Sequence, residues 1–532
     1  MMEIHKINFE EVRPFTRRDV IYRNHPENFS AFFNYLPDLS GFAKAIEDRK
    51  RYAIDRKLLQ SVLYKHYDGH EMSELQTQHL TALSEENTFT VVTAHQPSLL
   101  TGPLYYIYKI FSAINLAEQL KVSFPSYHFV PIFISGSEDH DFEEINHLHL
   151  FQRKIVWQNE GKGPVGRLTL DGLPIVIEEV KSLFGTSPFS VELASMLDTA
   201  LEGSNQYNDF VFKLLNQLFG RYGLIVLNMD DVALKDHFKG VMKQELLDHP
   251  SAELIRESQD RWQGLGYHSQ AHAREINLFY MENGVRERVV LNGEHFEINN
   301  TQLKFSREEI IQLLEQQPEK FSPNVVIRPL YEEFILPNLA YIGGGGELAY
   351  WLERKTQFEH FGIFFPVLVR RDSMLWISNA QCQTLNKHDM AWQDLFLEES
   401  LLVDKYIHKA TSFDISLEEE AGSIAHIFQL IASKAAGADK TLASFVEAEK
   451  VKVTKSVEHI EQRIKRAIKK NEETAINQLT NLKNKLFPGG GLQERHDNFM
   501  QYYLTLGPNF FDTLKKEANP LQPGFTVISH YP

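Results

Sequence analysis

A chain of 532 residues, 43% hydrophobic and 24% charged, is too long for one core and has the composition of a globular protein with two or three domains. A formal net charge of −16 argues against a nucleic-acid partner, because neutralising phosphates takes a basic face. With Cys382 the only cysteine, no run of about eighteen apolar residues and no signal-peptide build in Met1 to Lys6, the chain offers no disulfide, cysteine metal cluster or membrane span. A cytoplasmic location is expected.

Residues 1 to about 87 read as mixed helices and loops, with the aromatics from Phe29 to Tyr35 packing them on a sheet. Thr88 to Ala94 is β-branched and predicts a buried strand. It runs into a polar loop from His95 to Pro103. A helix is expected next, capped by Thr101 or Gly102, with Pro103 in its first turn and Leu104, Ile107, Phe111 and Ile114 on one apolar face. Tyr127 to Ser135 reads as a second strand that opens into an acidic loop, Gly136 to His147. Strand, helix and strand make a βαβ unit, which requires a parallel sheet. Ligands bind beyond the carboxyl ends of such strands, where both polar loops lie.

His147 to Phe151 alternates as a strand, and Gly163 to Leu170 is its expected partner. Amphipathic helices follow from Ile177 to Phe219. Gly223 to Asn228 predicts another buried parallel strand with Asp230 and Asp231 at its carboxyl end. Asn277 to Asn299 reads as antiparallel strands turning at Glu282-Asn-Gly284 and Asn292-Gly293, an inserted module. Gly343, Gly344, Gly345 and Gly346 precede a helix, and their backbone N–H groups have room to face an anion or a sugar. The alternative is a plain turn, with Glu347 complementing the helix dipole. Gly362 to Asp372 predicts a strand ending in Arg370 and Arg371, whose forked guanidinium groups suit a carboxylate or phosphate; surface arginines are the other reading.

From about Lys387 the pattern changes. Val453, Val457, Ile460, Ile464 and Ala467 step by four and three, and Leu479, Leu482 and Leu486 continue after a slip. This predicts a helix of about 45 residues, about 70 Å long, with Ala421 to Ala435 lying back along it as an antiparallel coiled-coil arm. Dimerisation through the arm is expected. The basic run Arg463 to Lys470 reads as a solvated face.

The acidic loop holds five carboxylates and two histidines from Ser137 to His147. A metal on His140, Asp141 and His147 fits no zinc or EF-hand spacing, so no metal site is assigned. The second reading makes His140 or Asp141 a general base on an amine, oriented by neighbouring carboxylates. The third is an acid-rich helix start. The His95 loop suits a phosphate or carboxylate through its backbone donors, or is an ordinary turn; it is neither a P-loop nor a dinucleotide fingerprint. Lys109 lies about two turns into the helix, with a surface position as its alternative.

At these residues the chain resembles a family. Val91 to Lys109 and Ser137 to His147 resemble motifs of the bacillithiol-biosynthesis cysteine-adding enzymes, the BshC family. Val325 to Trp351, with Arg328-Pro-Leu-Tyr-Glu-Glu-Phe and the glycine run, resembles a third block, and Leu486 to His496 a C-terminal signature. The matches span nearly the whole chain in order. The resemblance implies an α/β fold: a Rossmann-like core in residues 1–385, akin to class I aminoacyl-tRNA synthetases and nucleotidyltransferases. Connecting-peptide insertions fall at about 150–205 and 250–320, a dimerising coiled-coil arm at 386–487, and a tail at 488–532 that packs back on the core. The implied reaction joins cysteine to the amine of glucosaminyl malate, with ATP as the expected activator and Mg2+ as its companion.

Under this resemblance Glu138, Asp139, His140 and Asp141 are the catalytic candidates. His95, Gln96, Thr101, Gly102, Lys109, Asn146, His147, Arg328, the four glycines, Glu347, Tyr350, Arg370 and Arg371 are candidates for substrate or nucleotide binding. Ala94 stands where the family is expected to have glycine, and Gly345 where it often has proline. Neither a His-x-Gly-His nor a Lys-Met-Ser-Lys-Ser motif is present. The alternatives are a nucleotidyltransferase-like enzyme with another small substrate and a non-catalytic dimeric scaffold.

Overall fold

The computed structural model describes residues 2–269, 272–282, 284–411 and 416–530, so Asn283 of the first expected turn lies outside the described residues. The chain forms two compact units. One comprises Lys6–Met374 and Glu494–Thr526, the other Met1–His5, Leu375–Gln493 and Val527–Pro532.

The first unit is built on five parallel strands: β1 (Thr88–His95), β2 (His128–Ser135), β3 (Ile225–Asn228), β4 (Asn338–Gly343) and β5 (Val367–Arg370). Their order across the sheet is β5-β4-β1-β2-β3. The chain starts in the middle, works outward to β3, then crosses to the other side of β1 and works outward again. That is a Rossmann-like winding, and its strand order reverses between β1 and β4, where a crevice opens beyond the strand ends. Val91, Val92, Ile132, Phe133, Ile134, Ile342 and Val367 are buried, so these strands read as continuous apolar runs, as strands covered on both faces do.

Helix α1 (Tyr105–Ser123) joins β1 to β2 and is buried nearly all round rather than on one face; Tyr106, Lys109 and Ser112 are covered along with Ile107 and Phe111. Its cap is Leu104, not Thr101 or Gly102. Those two sit in a tight turn in which Leu100, Thr101 and Gly102 take φ of 47°, 70° and 57°. Two non-glycine residues in the left-handed region need holding. Asn498 does this, donating to the carbonyls of Leu100 (2.9 Å) and Gly102 (2.7 Å). His147–Leu150 pairs with Arg153–Val156 and not with 163–170, because the chain reverses at once through Phe151 and Gln152 in left-handed φ.

Helix α2 (Val232–Asp248) follows β3, capped by Asp231, whose carboxylate accepts from the Ala233 and Leu234 amides. An antiparallel sheet then includes Leu278–Glu282, Val285–Asn292, His295–Ile298 and Phe321–Pro323, as the turn dipeptides predict. Helices α3 (Arg328–Ile335) and α4 (Gly345–Leu352) flank β4.

In the second unit α5 (Glu418–Ala438) and α6 (Leu442–Asn471) form a hairpin, followed by α7 (Glu473–Leu486). The expected single helix of about 45 residues is broken at Glu472, which leaves helical geometry and accepts a hydrogen bond from the Tyr406 hydroxyl (2.8 Å). The units divide after Met374, ahead of 385, because helix Asn379–Lys387 leads into His388, which hydrogen-bonds Gln478 of α7 (2.7 Å). Glu494–Thr526 belongs to the first unit. No helix among the described residues is long and apolar enough to cross a membrane.

Candidate functional site

A cavity of about 740 Å³ opens beyond the carboxyl ends of β1, β2 and β4, at the reversal of strand order. His95 ends β1 and Gln96 follows it, Glu138, Asp139 and His140 follow β2, and Gly344, Gly346, Glu347 and Tyr350 follow β4. Arg328 and Arg371 also line it. Three stretches far apart in sequence therefore meet because parallel strands end on the same edge.

The floor is a buried ion pair. Lys109, fully covered rather than on the surface, sends its ammonium to the Glu347 carboxylate (2.7 Å) and to the Ala94 carbonyl. The other Glu347 oxygen accepts from the Gly344 amide (2.8 Å), so Glu347 caps α4 and anchors Lys109 at once. Burial raises the carboxyl, but Lys109 outweighs it and Glu347 stays below the usual range. His95 is held neutral, its pKa lowered to about 4 by burial and the neighbouring Lys109. Its Nδ1 donates to the Gln96 carbonyl (3.0 Å), and its Nε2 accepts from Tyr105 (2.9 Å).

The acidic loop is more ordered than its charge suggests. Glu138 is buried against Lys235 (2.6 Å), which also meets Asp230 (2.8 Å), and Arg328 stands 3.7 Å away. Asp139 accepts from Gln96 (2.6 Å), which also reaches Glu144 (3.0 Å). Burial opposes its charge, yet Arg328 and Arg286 keep its pKa low. Lys235, Arg286 and Arg328, all from other segments, thus answer the charges of Glu138 and Asp139. His140 Nδ1 receives a hydrogen bond from Arg286 (2.6 Å). Burial and that guanidinium lower its pKa, so the imidazole is neutral and weakly basic.

Several candidates lie elsewhere. Asp141 caps a short helix, Phe142–Ile145, and is outside the cavity wall, as are Asn146 and His147, which hydrogen-bond each other. His147 instead lines a small neighbouring hollow of about 100 Å³ with His149 and His496. Thr101 and Gly102 are locked in the left-handed turn. Gly343 accepts the Arg371 amide (2.9 Å), and Gly345 packs on Asp19, where a Cβ would fall 2.3 Å from the carboxyl carbon. A proline at position 345 therefore has no space here. Arg370 is not open to a ligand: it is buried and forks onto Asp19 at 2.7 and 3.0 Å. Arg371 reaches the cavity but binds Glu494 (2.7 Å). Both arginines have protein carboxylates for partners because segments before β1 and after the arm supply them.

The wall also contains residues that sequence reasoning passed over: Arg274, Arg286 and Arg288 from the inserted module, Arg495, Tyr105 and Glu332. Arg286 and Arg288 are two apart on Val285–Asn292 and so share a face, a signal that strand periodicity makes readable. No group of three or more histidine, cysteine or carboxylate side chains able to hold a metal occurs among the described residues.

Comparison with known proteins gives a consistent answer. The profile "Bacillithiol biosynthesis BshC, N-terminal Rossmann-like domain" matches residues 2–372, and that of the BshC C-terminal coiled-coil domain matches residues 374–530. A Flavobacterium psychrophilum protein named "Putative cysteine ligase BshC" is 38% identical over 98% of this chain and 99% of its own length. One from Flavobacterium johnsoniae with the same name is 38% identical over 96% of each chain, and one from Lysinibacillus sphaericus 28% identical over 94% of each.

Proposed function

The chain belongs to the BshC family of bacillithiol biosynthesis, and on that premise we propose that its cavity joins cysteine to the amine of glucosaminyl malate through an amide bond. The observation that carries this reading is the charge of the cavity wall. Arg274, Arg288 and Arg495 line it and make no ion pair among the described residues. Guanidinium groups without a protein carboxylate at a sheet's carboxyl edge suit a ligand that brings its own anions. Malate brings two carboxylates, cysteine one, and a nucleotide its phosphates.

Forming an amide from a free carboxylate needs activation, and ATP is the proposed source. The cavity's size is within the range of nucleotide and cofactor sites. No group of side chains among the described residues could hold a metal by itself, so Mg2+ is proposed only as the companion of the phosphates, near the Asp139 and Glu144 carboxylates that share Gln96. Bound there, it would neutralise phosphate charge. Arg328, held 3.7 Å from Glu138, orients one anionic group, and the backbone of Gly344 and Gly346 allows a ligand close approach.

A second copy of the chain is the proposed partner of the arm. Ile427, Leu430, Phe445 and Ile460 are each more than half exposed on α5 and α6, an apolar strip that a hairpin alone leaves in water. The test is reconstitution: purified protein, glucosaminyl malate, cysteine, ATP and Mg2+, with the thiol product followed by mass spectrometry. Product is expected, and an Arg288→Ala variant should raise KM for the anionic substrate about tenfold or more. Folded protein that yields no product refutes the reading.

A further inference from the structure

Five carboxylates line the cavity, and four have a cation or a hydrogen-bond donor against them. Glu138 meets Lys235 at 2.6 Å, Asp139 and Glu144 both accept from Gln96, and Glu347 holds Lys109 and the Gly344 amide. Glu332 is different. It lies one turn beyond Arg328 on α3, is 3% exposed, and its Oε2 is buried with no hydrogen-bond partner and no ion pair among the described residues. A polar atom buried without a donor is unfavourable, and at the wall of a binding cavity the missing partner is one that a ligand supplies.

We propose that Glu332 is a catalytic residue that takes a proton from the nucleophilic amine. This rests on the ligase reading above and adds to it the group that prepares the amine. Arg328 and Glu333 from its own helix, Lys109 from α1, Tyr341 from β4, and Glu347 and Tyr350 from α4 are the charged and titratable groups around it. Burial, against the pull of Arg328 and with the push of Glu347, raises its carboxyl to about 8. A carboxylate with so high a proton affinity is matched to an amine far better than Asp139 or Glu347, which their cations keep acidic.

The amine arrives as R–NH3+, and the Glu332 carboxylate accepts one proton. The freed nitrogen lone pair attacks the carbonyl carbon of cysteine, activated as a mixed anhydride with a phosphate group from ATP. The C–N bond forms and the C–O bond to phosphate breaks, its electron pair leaving on the phosphate oxygen. The second nitrogen proton departs to water.

The experiment compares the full-length protein with Glu332→Gln and Glu332→Asp in the reconstituted reaction. Glu332→Gln should lower kcat by about 100-fold or more, and Glu332→Asp should recover part of it. The wild-type kcat/KM should rise with pH through about 8, as the carboxylate forms, and the glutamine variant should lose that limb. KM for ATP should not change. Calorimetry gives a readout without turnover: wild type should prefer glucosaminyl malate over its N-acetylated analogue by about tenfold, and Glu332→Gln should not. A glutamine variant within about threefold of wild type, with the same pH profile, overturns the assignment. So does a change confined to KM for cysteine, which would move Glu332 to the cysteine ammonium. Wild-type protein that binds neither sugar compound overturns the ligase reading and this assignment together.

Discussion

The same carboxyl that is proposed to serve the reaction should weaken the fold, and the size of that effect follows from its burial. In the folded chain Glu332 is raised from 4.5 to about 8. Below pH 4.5 the group is protonated in both states and costs nothing. As pH rises from there the unfolded chain releases the proton and the folded chain keeps it, so stability falls until about pH 8 and then levels. At about 1.36 kcal/mol per pH unit this window amounts to roughly 5 kcal/mol. Glu332→Gln removes the titration. It leaves an amide where an unpartnered oxygen stood, a cost of about 1–3 kcal/mol at every pH. The variant should therefore be about 1–3 kcal/mol less stable than wild type at pH 4.5 and about 2–4 kcal/mol more stable at pH 8.5. Urea unfolding followed by tryptophan fluorescence, to which Trp351 at the cavity wall contributes, measures the difference. A difference between the two proteins that stays constant from pH 4.5 to 9 would refute the reasoning, because it would mean that Glu332 ionises in the folded chain as it does in water.

Other outcomes follow from the same geometry. Asp19→Ala should cost about 3–5 kcal/mol in urea unfolding, because it strands the buried Arg370 without its anion. Gly345→Ala should cost about 1–3 kcal/mol by pushing a methyl group into the Asp19 carboxylate, and most of that cost should vanish in the Asp19→Ala background. Lys109→Met should destabilise the fold and abolish activity together, since it frees Glu347 from the floor of the cavity. If the arm pairs with a second copy, Leu430→Lys with Phe445→Glu should shift sedimentation from dimer to monomer.

The parts legible in the sequence were those with local periodicity. The β-branched run at Thr88, the helix after it and the apolar run before Ser135 name a βαβ unit, and the parallel sheet then brings the His95, Glu138 and Gly344 loops to one edge. What was not legible was which polar side chains already had partners. Arg370 looks like a ligand clamp until Asp19 arrives from 351 positions away. Asp141 looks equivalent to Asp139, but the first caps a helix turn while the second faces Gln96. Glu332 stands inside the quoted run from Arg328 to Phe334, and its neighbour Glu333 is just as acidic. Only the helix phase separates them: Glu333 turns to Asn338 (2.6 Å) and Glu332 to the cavity. The break at Glu472 falls where the heptad seam slips, but no proline or glycine marks it as the end of a helix.

The hold that Glu494–Thr526 keeps on the core has a consequence for the order of events during synthesis. Arg371 depends on Glu494, the left-handed turn at Leu100 to Gly102 depends on Asn498, and the first amide before α1, that of Leu104, donates to the Asp497 carbonyl (2.8 Å). The strands that carry the pocket leave the ribosome long before these three residues do. A nascent chain that has emerged only as far as the arm therefore has every strand of its sheet and an unfinished pocket, its turn unclamped and a buried guanidinium without its counter-ion. Translation of the segment after the arm is the step that completes the pocket.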